Sequence, residues 1–477
     1  MGVTYEYTSA GIVDKYTSHE GVVHDSLIGL GYDWEQIGDP GIRPRYPFKI
    51  YLPQTTDEVI AAINETRQLG QRLVIRSKGH SSNDLVFNEA GSILCTSMLN
   101  KILEVNEEAL SVTVQAGAIT AELDEHLLER GYGLPVLGDH NDITAGGFAS
   151  VGGISPSSIR YGMFVDNVLA FEYVTFDGQL VGCTREGNPE EFFRVLCGTG
   201  QFGVLVQLTV RIIRVDKYRT ILRNRIRHYL KVEEFIADTE RYLGDFGDAR
   251  MGRGAWFDLP LGKAHLKIGQ FSTYVETRQS AYKRLRNKLV YGYLHDIGKW
   301  AGRVPRPVEL LLKALALGGL IFSPRYASIK NVESFTDRIT DSTVGDPTRW
   351  YILLAPAESY AILCRKLYEL ALDYRTRYQC FTLVALYVKG IKSDYLSRGE
   401  PDRHFSELTL YVGINLKHMT EKILSDLVSQ IDDLCVEHGS YRYMHTKTVK
   451  DSERRSVVDP NAFYARKLSI SGVGLAS

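Results

Sequence analysis

Two glycine pairs in the stretch "DITAGGFASVGGISPSSIRYG" constrain the fold of this chain more than any other feature. Gly146-Gly147 and Gly152-Gly153 have no Cβ, so the backbone there turns sharply and lets a bound group approach closely. Hydroxyl side chains accompany the glycines at Thr144, Ser150 and Ser157. The stretch therefore predicts either a compact structural loop or a loop whose N–H and O–H groups bind phosphates or the polar edge of a ring.

Two further stretches have a related character. The turn "IRSKGHSSND" at residues 75–84 follows a strand-like run, carries a hydrogen-bond donor on nearly every residue and has His80 at its centre. It is either an ordinary surface turn or a cradle for an anion. "LCGTGQFGVLVQLTV" at residues 196–210 leads glycines directly into a long alternating strand, whose edge is suited to reading the polar edge of a flat ring.

The best-known nucleotide-binding fingerprints do not occur in their usual context in the sequence. No GxGxxG follows a first strand, which argues against a Rossmann domain, and no GxxxxGK[ST] is present, which argues against a P-loop nucleotidase.

The predicted helices and strands are those of an α+β protein with two domains. "PQTTDEVIAAINETRQLGQ" predicts a helix with a capping box of Thr55 and Glu58 and an end at Gly70. Helices and strands mix in the first domain, whereas the later segments predict an antiparallel sheet with helices on one face. We expect four parts: an N-terminal arm at 1–42, a first domain at 43–215, a second domain at 216–439, and a C-terminal segment at 440–477 that returns to the first domain.

Composition narrows the partners and the compartment. The 477 residues carry a net charge of −1, so no broad basic surface for nucleic acid is expected. The six cysteines show no metal-ligand spacing, so we expect reduced, buried thiols, no metal site and a cytoplasmic protein. No signal peptide is visible at the N-terminus.

One apolar segment, "PVELLLKALALGGLIFSP" at 307–324, raises the question of a membrane. It contains Glu309 and Lys313 and is shorter than the roughly 20 apolar residues that a spanning helix needs. We therefore expect no transmembrane span. A buried or amphipathic helix of the second domain is one reading, and a peripheral membrane contact or an apolar lip for a substrate is the other.

The three glycine- and serine-containing stretches, in this order, resemble the FAD-binding domain of the vanillyl-alcohol oxidase superfamily, also called the PCMH-type fold. The resemblance covers roughly residues 43–215. Within the superfamily the first domain resembles cytokinin dehydrogenases in "GHS", "RYGMFVDNV" and "GTGQFGV", and delta-24 sterol reductases in "LPVLGDHNDITAGG" and "SSIRYGMF". The implied fold is a two-part FAD-binding domain followed by an antiparallel-sheet cap domain that binds the substrate.

This resemblance implies the residues that hold FAD. The loop around the pyrophosphate would be Arg76, Ser77, Lys78, Gly79, His80 and Ser81. Further FAD contacts would be Thr144, Gly146, Gly147, Ser150, Gly153 and Ile154, with Val204 or Leu205 as the strand residue at the flavin ring. His80 takes the position where many members bond covalently to the flavin, and the alternative is a hydrogen-bonding histidine. The position of a second, cysteine-based link is occupied by His140, so we expect no bicovalent flavin.

Two catalytic candidates follow from the same resemblance. Asp139 matches the aspartate that acts as a base in cytokinin dehydrogenases, and Asp142 lies close by, as in the sterol reductases. Tyr464, in the tail "VVDPNAFYARKL", is the candidate phenol donor. The structural alternatives are that Asp139 only caps a turn and that Tyr464 only packs. The tail departs from the cytokinin dehydrogenase ending, which puts cytokinin as the substrate in doubt.

The sequence thus predicts an enzyme, an FAD-dependent oxidoreductase acting on a partly apolar small molecule. Hydride would move from a C–H bond next to oxygen or nitrogen to flavin N5, with Asp139 as the base. One alternative is an NAD(P)H-dependent reductase of a C=C bond. Another is a flavoprotein that catalyses a non-redox cyclisation, and a pure binding module is the least favoured reading.

Overall fold

The fold is taken from a computed structural model of the chain. The residues described are 3–6, 47–81, 85–86, 88–140, 143–215, 221–261, 264–278, 280–290, 325–333, 348–397 and 403–443. Asp142, Tyr464 and the segment 307–324 lie outside these ranges, so the predictions made for them stay predictions.

The first part of the chain contains two sheets. The strands are β1 (Val3–Glu6), β2 (Lys49–Leu52), β3 (Leu73–Arg76), β4 (Ser92–Cys95), β5 (Ile102–Asn106), β6 (Ser111–Gln115), β7 (Tyr132–Gly133), β8 (Val168–Thr175), β9 (Leu180–Thr184), β10 (Gly203–Arg211) and β11 (Ile213–Arg214). The helices are α1 (Thr56–Gln68), α2 (Thr120–Leu128), α3 (Ala145–Val151), α4 (Ser158–Tyr161) and α5 (Pro189–Val195). A four-stranded sheet has the order β1-β2-β4-β3, and a five-stranded antiparallel sheet has the order β5-β6-β10-β8-β9.

The second part of the chain is built on one antiparallel sheet of eight strands. The strands are β12 (Ile221–Tyr229), β13 (Met251–Leu261), β14 (Ala264–Glu276), β15 (Tyr326–Ser328), β16 (Thr348–Pro356), β17 (Phe381–Ile391), β18 (Phe405–Ile414) and β19 (Tyr441–Arg442), in the order β15-β12-β14-β13-β17-β18-β16-β19. The helices are α6 (Val232–Gly244), α7 (281–290), α8 (Ile329–Glu333), α9 (Tyr360–Tyr378), α10 (Asp394–Ser397) and α11 (Glu421–Glu437). We call this sheet the cap sheet.

The two faces of the cap sheet have different partners. In β13 and β17, Trp256 and Leu386 are buried and belong to the core that includes residues of α6, α9 and α11. Their strand neighbours Phe257 and Tyr387 line a cavity instead. Successive side chains of a strand point to opposite faces, so one face of the cap sheet packs against helices and the other faces the cavity.

The helix predicted from the capping box is confirmed. Thr55 Oγ1 accepts a hydrogen bond from the Glu58 N–H at 3.3 Å, and helix α1 begins at Thr56. The Glu58 carboxylate accepts from the Gln54 N–H at 2.7 Å, one residue earlier than in the usual capping box. Gly70, with a φ of 61°, follows the helix, as predicted.

The α+β architecture and the antiparallel sheet with helices on one face are confirmed. The predicted irregular N-terminal arm differs in one detail, because Val3–Glu6 forms a strand that pairs with β2. Strand β19 pairs with β16, so the chain remains part of the cap sheet through Arg442. From there Tyr443 reaches the first domain, where its phenol oxygen accepts a hydrogen bond from the Gly153 N–H at 3.0 Å.

The six cysteines all lie in the described part of the chain, are buried, and form no disulfide. No helix among the described residues has the length and the apolar character required to cross a membrane.

Candidate active site

A cavity of about 370 Å³ lies between loops of the first domain and the open face of the cap sheet. It falls within the size range of ligand pockets, which is roughly 300 to 1,000 Å³. All three stretches singled out in the sequence contribute to its lining, through the Arg76–Ser81 turn, the Thr144–Ile154 stretch and Thr199–Leu205. The fold therefore brings together segments that are far apart in the chain.

Hydrogen bonds of Arg76 and Ser77 hold the Arg76–Ser81 turn in place. The Arg76 guanidinium donates to the carbonyl oxygen of Val86 at 2.8 Å, and Arg76 is buried. Ser77 Oγ accepts hydrogen bonds from Thr96 Oγ1 at 3.0 Å and from Thr144 Oγ1 at 2.8 Å. These two bonds tie the turn to the start of the glycine-rich stretch, so the two loops form one continuous wall.

Glycine at position 147 keeps the space between these loops open. A Cβ there would lie 2.9 Å from Thr144 Oγ1 and 3.7 Å from Ser77 Cβ. Gly203, at the start of β10, has a φ of 155°, and a Cβ would lie 2.7 Å from Cδ2 of Tyr173. Both positions need glycine because the neighbouring atoms leave no room for a side chain.

Most of the sequence-predicted FAD contacts line this cavity. Those lining it are Arg76, Ser77, Lys78, Gly79, His80, Ser81, Thr144, Gly146, Gly147, Ser150, Ile154 and Leu205. Gly153 and Val204 do not: Gly153 donates its N–H to Tyr443, and Val204 is fully buried in the core beside α1. Leu205 is therefore the better candidate of the pair Val204 and Leu205 for the strand residue at the ring.

His80 and His140 lie side by side in the lining of the cavity. Their rings stack with centroids 4.9 Å apart and an interplanar angle of 28°. The two imidazoles, one from the polar turn and one from the loop before α3, thus form a single surface. His140 stands beside the residue for which covalent attachment was predicted.

Asp139 is held by a lysine of the cap sheet. The Lys389 ammonium, on β17, donates to Asp139 Oδ2 and to both carboxylate oxygens of Glu407, at 3.2 Å and 3.0 Å. Lys389 and Glu407 are opposite each other on β17 and β18. Thr409 Oγ1 also donates to Glu407 Oε1 at 3.0 Å. We call Lys389, Asp139 and Glu407 the charge cluster.

Lys389 stays protonated because two carboxyl groups surround its ammonium. Burial alone would lower the pKa of the Lys389 ammonium, but the carboxylates of Asp139 and Glu407 raise it above its usual value. Burial raises the pKa of Glu407, and the Lys389 charge opposes that rise. Lys389 therefore carries a positive charge throughout the neutral range, and it is shared between two carboxylates.

A third carboxyl group lies next to this cluster. Glu333, at the end of α8, is buried and accepts a hydrogen bond from Ser155 Oγ at 3.3 Å. Its other oxygen, Oε2, is buried and has no hydrogen-bond partner among the described residues. Burial, reinforced by the charge of Asp139, raises the pKa of Glu333 to about 8. Glu333 is therefore mostly protonated at neutral pH.

The C-terminal part of the described chain contributes a tyrosine to the cavity. Tyr443 lines it and is buried, and burial raises the pKa of its phenol well above the usual value, so the phenol remains neutral. The sequence pointed to Tyr464 for such a role, and Tyr464 lies outside the described residues. Among the described residues, Tyr443 is a tyrosine from the later part of the chain that lines the cavity.

Sequence reasoning named no residue of the cap, and so it missed Lys389, Glu407 and Glu333. A signal was present for two of them. "FTLVALYVKG" and "FSELTLYV" are otherwise apolar strands that each contain one charged residue. A charged side chain inside a buried strand needs a partner, and the opposite charges of Lys389 and Glu407 suggest that the two residues form an ion pair. Nothing in the local sequence identified Glu333.

The residues of this cavity fit FAD. Hydroxyl groups and glycines come from two loops, and the backbone remains accessible at Gly147, while the strand residue Leu205 offers an apolar contact. An extended nucleotide cofactor needs this combination of polar loop and apolar strand.

Comparisons with known proteins agree with this reading. Residues 47–184 match the family described as FAD binding domain. The chain is 29% identical over 203 residues to cytokinin dehydrogenase 3 of Arabidopsis thaliana, covering 42% of this chain and 38% of that protein. It is 29% identical over 167 residues to L-gulonolactone oxidase of Bos taurus, covering 35% and 38%. A delta(24)-sterol reductase homolog of Caenorhabditis elegans is 26% identical over 227 residues, covering 44% and 42%.

The chain thus spans only about two fifths of the length of these relatives, at 38%, 38% and 42%. The likeness to the vanillyl-alcohol oxidase superfamily is confirmed for the FAD-binding part.

Replacing Glu333 with glutamine tests the buried acid. The pKa of about 8 in the folded protein lies above the roughly 4.3 of a glutamate in an unfolded chain. The folded state therefore keeps a proton that the unfolded state loses, and the free energy of unfolding falls as the pH rises through this window. We expect the urea midpoint of Glu333→Gln, relative to the wild type, to rise between pH 5 and pH 8.

Glu358→Gln is the matched control, because that carboxyl is 66% exposed. It should leave the pH dependence unchanged. An identical pH dependence in the wild type and in Glu333→Gln would contradict the assignment of a proton to Glu333.

Proposed function

Because its first domain is an FAD-binding domain of the PCMH type, we propose that this chain is an FAD-dependent oxidoreductase. Its substrate would be a partly apolar small molecule, oxidised at a C–H bond next to oxygen or nitrogen. The observation that supports the proposal is the shared cavity, in which the glycine- and serine-containing loops of the first domain face the charge cluster of the cap sheet.

The loops divide the work of binding the cofactor. The Arg76–Ser81 turn and the Thr144–Ile154 stretch would hold the phosphates with N–H and O–H groups, and Leu205 would contact the ring. When bound, FAD supplies an acceptor for a hydride and returns the electrons to oxygen or to another acceptor. The protein's own residues must position the substrate and take up its proton.

Asp139 is the proposed proton acceptor. Oxidation of an alcohol or amine removes a hydride from carbon and a proton from oxygen or nitrogen, leaving a C=O or C=N bond. A carboxylate that lines the cavity is suited to receive that proton. Lys389 fixes the orientation of Asp139, because the same ammonium is held from the other side by Glu407.

Lys389 is therefore a positioning residue in this proposal. Glu333 adds a protonated carboxyl group nearby, which limits the total negative charge in a site that excludes water.

Attachment of FAD through His80 is part of the proposal. His80 lines the cavity, and its ring stacks on His140. A covalent imidazole substituent would retain the cofactor and make it a stronger hydride acceptor.

A second function is favoured by one of the relatives, the sterol reductase homolog. In that case the chain would reduce a C=C bond with NAD(P)H as the hydride source. The charge cluster would then deliver a proton to carbon instead of receiving one from oxygen or nitrogen. The direction of electron flow separates the two functions.

The cytoplasm is the proposed location. Six buried thiols without a disulfide fit a reducing compartment.

Anaerobic photometry of the holoprotein, combined with Asp139→Asn, tests the function. We expect primary alcohols or amines, tested as benzyl alcohol, benzylamine, hexan-1-ol and hexan-1-amine, to bleach the flavin. Asp139→Asn should slow bleaching about 100-fold, since loss of a general base typically costs that much or more. Asp177→Asn, in the turn between β8 and β9, is the matched control and should leave the rate unchanged.

Bleaching by NADPH and not by any alcohol or amine would favour the reductase. No bleaching by either class would overturn the oxidoreductase assignment.

Acid precipitation of the holoprotein tests the covalent link. We expect the flavin absorption to remain with the precipitated wild-type protein and to move to the supernatant in His80→Ala, because the bond to the imidazole is lost. His140→Ala should keep the flavin in the pellet, since His140 is not the attachment site. Flavin in the wild-type supernatant would show that the cofactor is dissociable.

A further inference from the structure

The cavity face of the cap sheet is arranged in rows that cross neighbouring strands. Register pairs Arg253 with Ser272, and Lys389 with Glu407. The pairing of Gly254 with Val388 places Arg253 beside Lys389. We call this set the polar row, because all four side chains are polar and the row ends at Asp139.

An aromatic row lies four residues farther along the strands. Phe257 pairs with Ala385, Ala385 pairs with Tyr411, and Tyr411 pairs with Trp350. Tyr387 stands between the two rows on β17. We call Phe257, Trp350, Tyr387 and Tyr411 the aromatic wall, and all four residues line the cavity.

The rings of the aromatic wall contact one another. Trp350 stacks on Tyr387 with centroids 5.6 Å apart at 24°, and it meets Tyr411 edge-on at 4.5 Å. Phe257 meets Tyr387 edge-on at 5.7 Å. Stacked and edge-to-face pairs hold each other in fixed orientations. The wall therefore presents ring faces and edges to the cavity as a rigid surface.

We propose that the aromatic wall is the subsite for a flat aromatic ring of the substrate, about 7 Å from the group that reacts beside the charge cluster. This inference rests on the proposed oxidoreductase function. This spacing is measured to Tyr387, the residue of the aromatic wall nearest the charge cluster, which lies two positions from Lys389 on β17 at roughly 3.4 Å per residue. The substrate is thus a molecule with an alcohol or amine end and an aromatic end.

Two other occupants fit this wall less well. A saturated chain or ring gains apolar contact but no ring-to-ring interaction, and the aliphatic part of the lining lies farther along the same strands, at Leu259 and Leu383. A cationic group would gain from the ring faces, but the nearby carboxylates of Asp139 and Glu407 are already paired with Lys389.

Binding of two matched tertiary alcohols tests the proposal without any turnover. The probes are 2-methyl-4-phenylbutan-2-ol and 4-cyclohexyl-2-methylbutan-2-ol, which share the same head group and spacer. Neither has a hydrogen on the carbon that bears the hydroxyl, so neither can donate a hydride. Calorimetry on the holoprotein should give a dissociation constant roughly threefold to tenfold lower for the phenyl compound.

Variants of the aromatic wall test whether these residues cause the preference for the phenyl compound. Tyr387→Leu and Trp350→Leu should each reduce it to less than twofold, while Tyr387→Phe should retain it because the ring remains. Two leucine variants are used so that failure of one to fold, judged by its thermal transition, leaves the other to decide.

Equal or tighter binding of the cyclohexyl compound to the wild type would overturn the inference. A phenyl preference that survives in the leucine variants would also overturn it. Either result would leave the oxidase proposal intact, because bleaching of the flavin by alcohols or amines is measured separately.

Discussion

The ion pair between Lys389 and Asp139 is the interaction on which the site depends. It joins a strand of the cap sheet to the loop that precedes α3, and Glu407 holds the same ammonium from the neighbouring strand. Taking such charges out of water costs several kcal/mol per ion, which only close partners can offset. The chain therefore has to bring β17, β18 and the Asp139 loop together accurately for the cluster to be tolerated at all.

Close backbone contacts around the cluster provide that accuracy. The Gly252 N–H donates to the carbonyl oxygen of Pro156 at 3.0 Å, and the Lys392 N–H donates to that of Ser158 at 3.0 Å. At Gly390, next to Lys389, a Cβ would lie 2.6 Å from Cδ1 of Ile159. Strands β13 and β17 thus lie directly on the segment that follows the second glycine pair. The glycine-rich stretch thus lines the cavity, and the segment directly after it contacts the cap sheet.

Much of this architecture could be predicted from the sequence, because it depends on local patterns. The capping box of α1, the Asp177-Gly178 turn between β8 and β9, and the alternation in β10 all have short-range signals. The three glycine- and serine-containing stretches singled out in the sequence all line the cavity. The pairing of Lys389 with Asp139 could not be predicted in the same way, since 250 positions separate them and only the packing of the cap sheet on the first domain brings them together. Glu333 gave no sequence signal, because its effect comes from burial in the folded chain.

The central claim is that Asp139 and Lys389 act as one unit in proton removal. It is tested most directly by the rate of anaerobic flavin reduction in Asp139→Asn, Lys389→Met and the double variant, using the alcohol or amine that bleaches the wild type fastest. If they form a unit, the double variant should be no more than about threefold slower than Asp139→Asn alone, because residues that act together lose their effect together. A double variant whose loss equals the product of the two single losses would contradict the account.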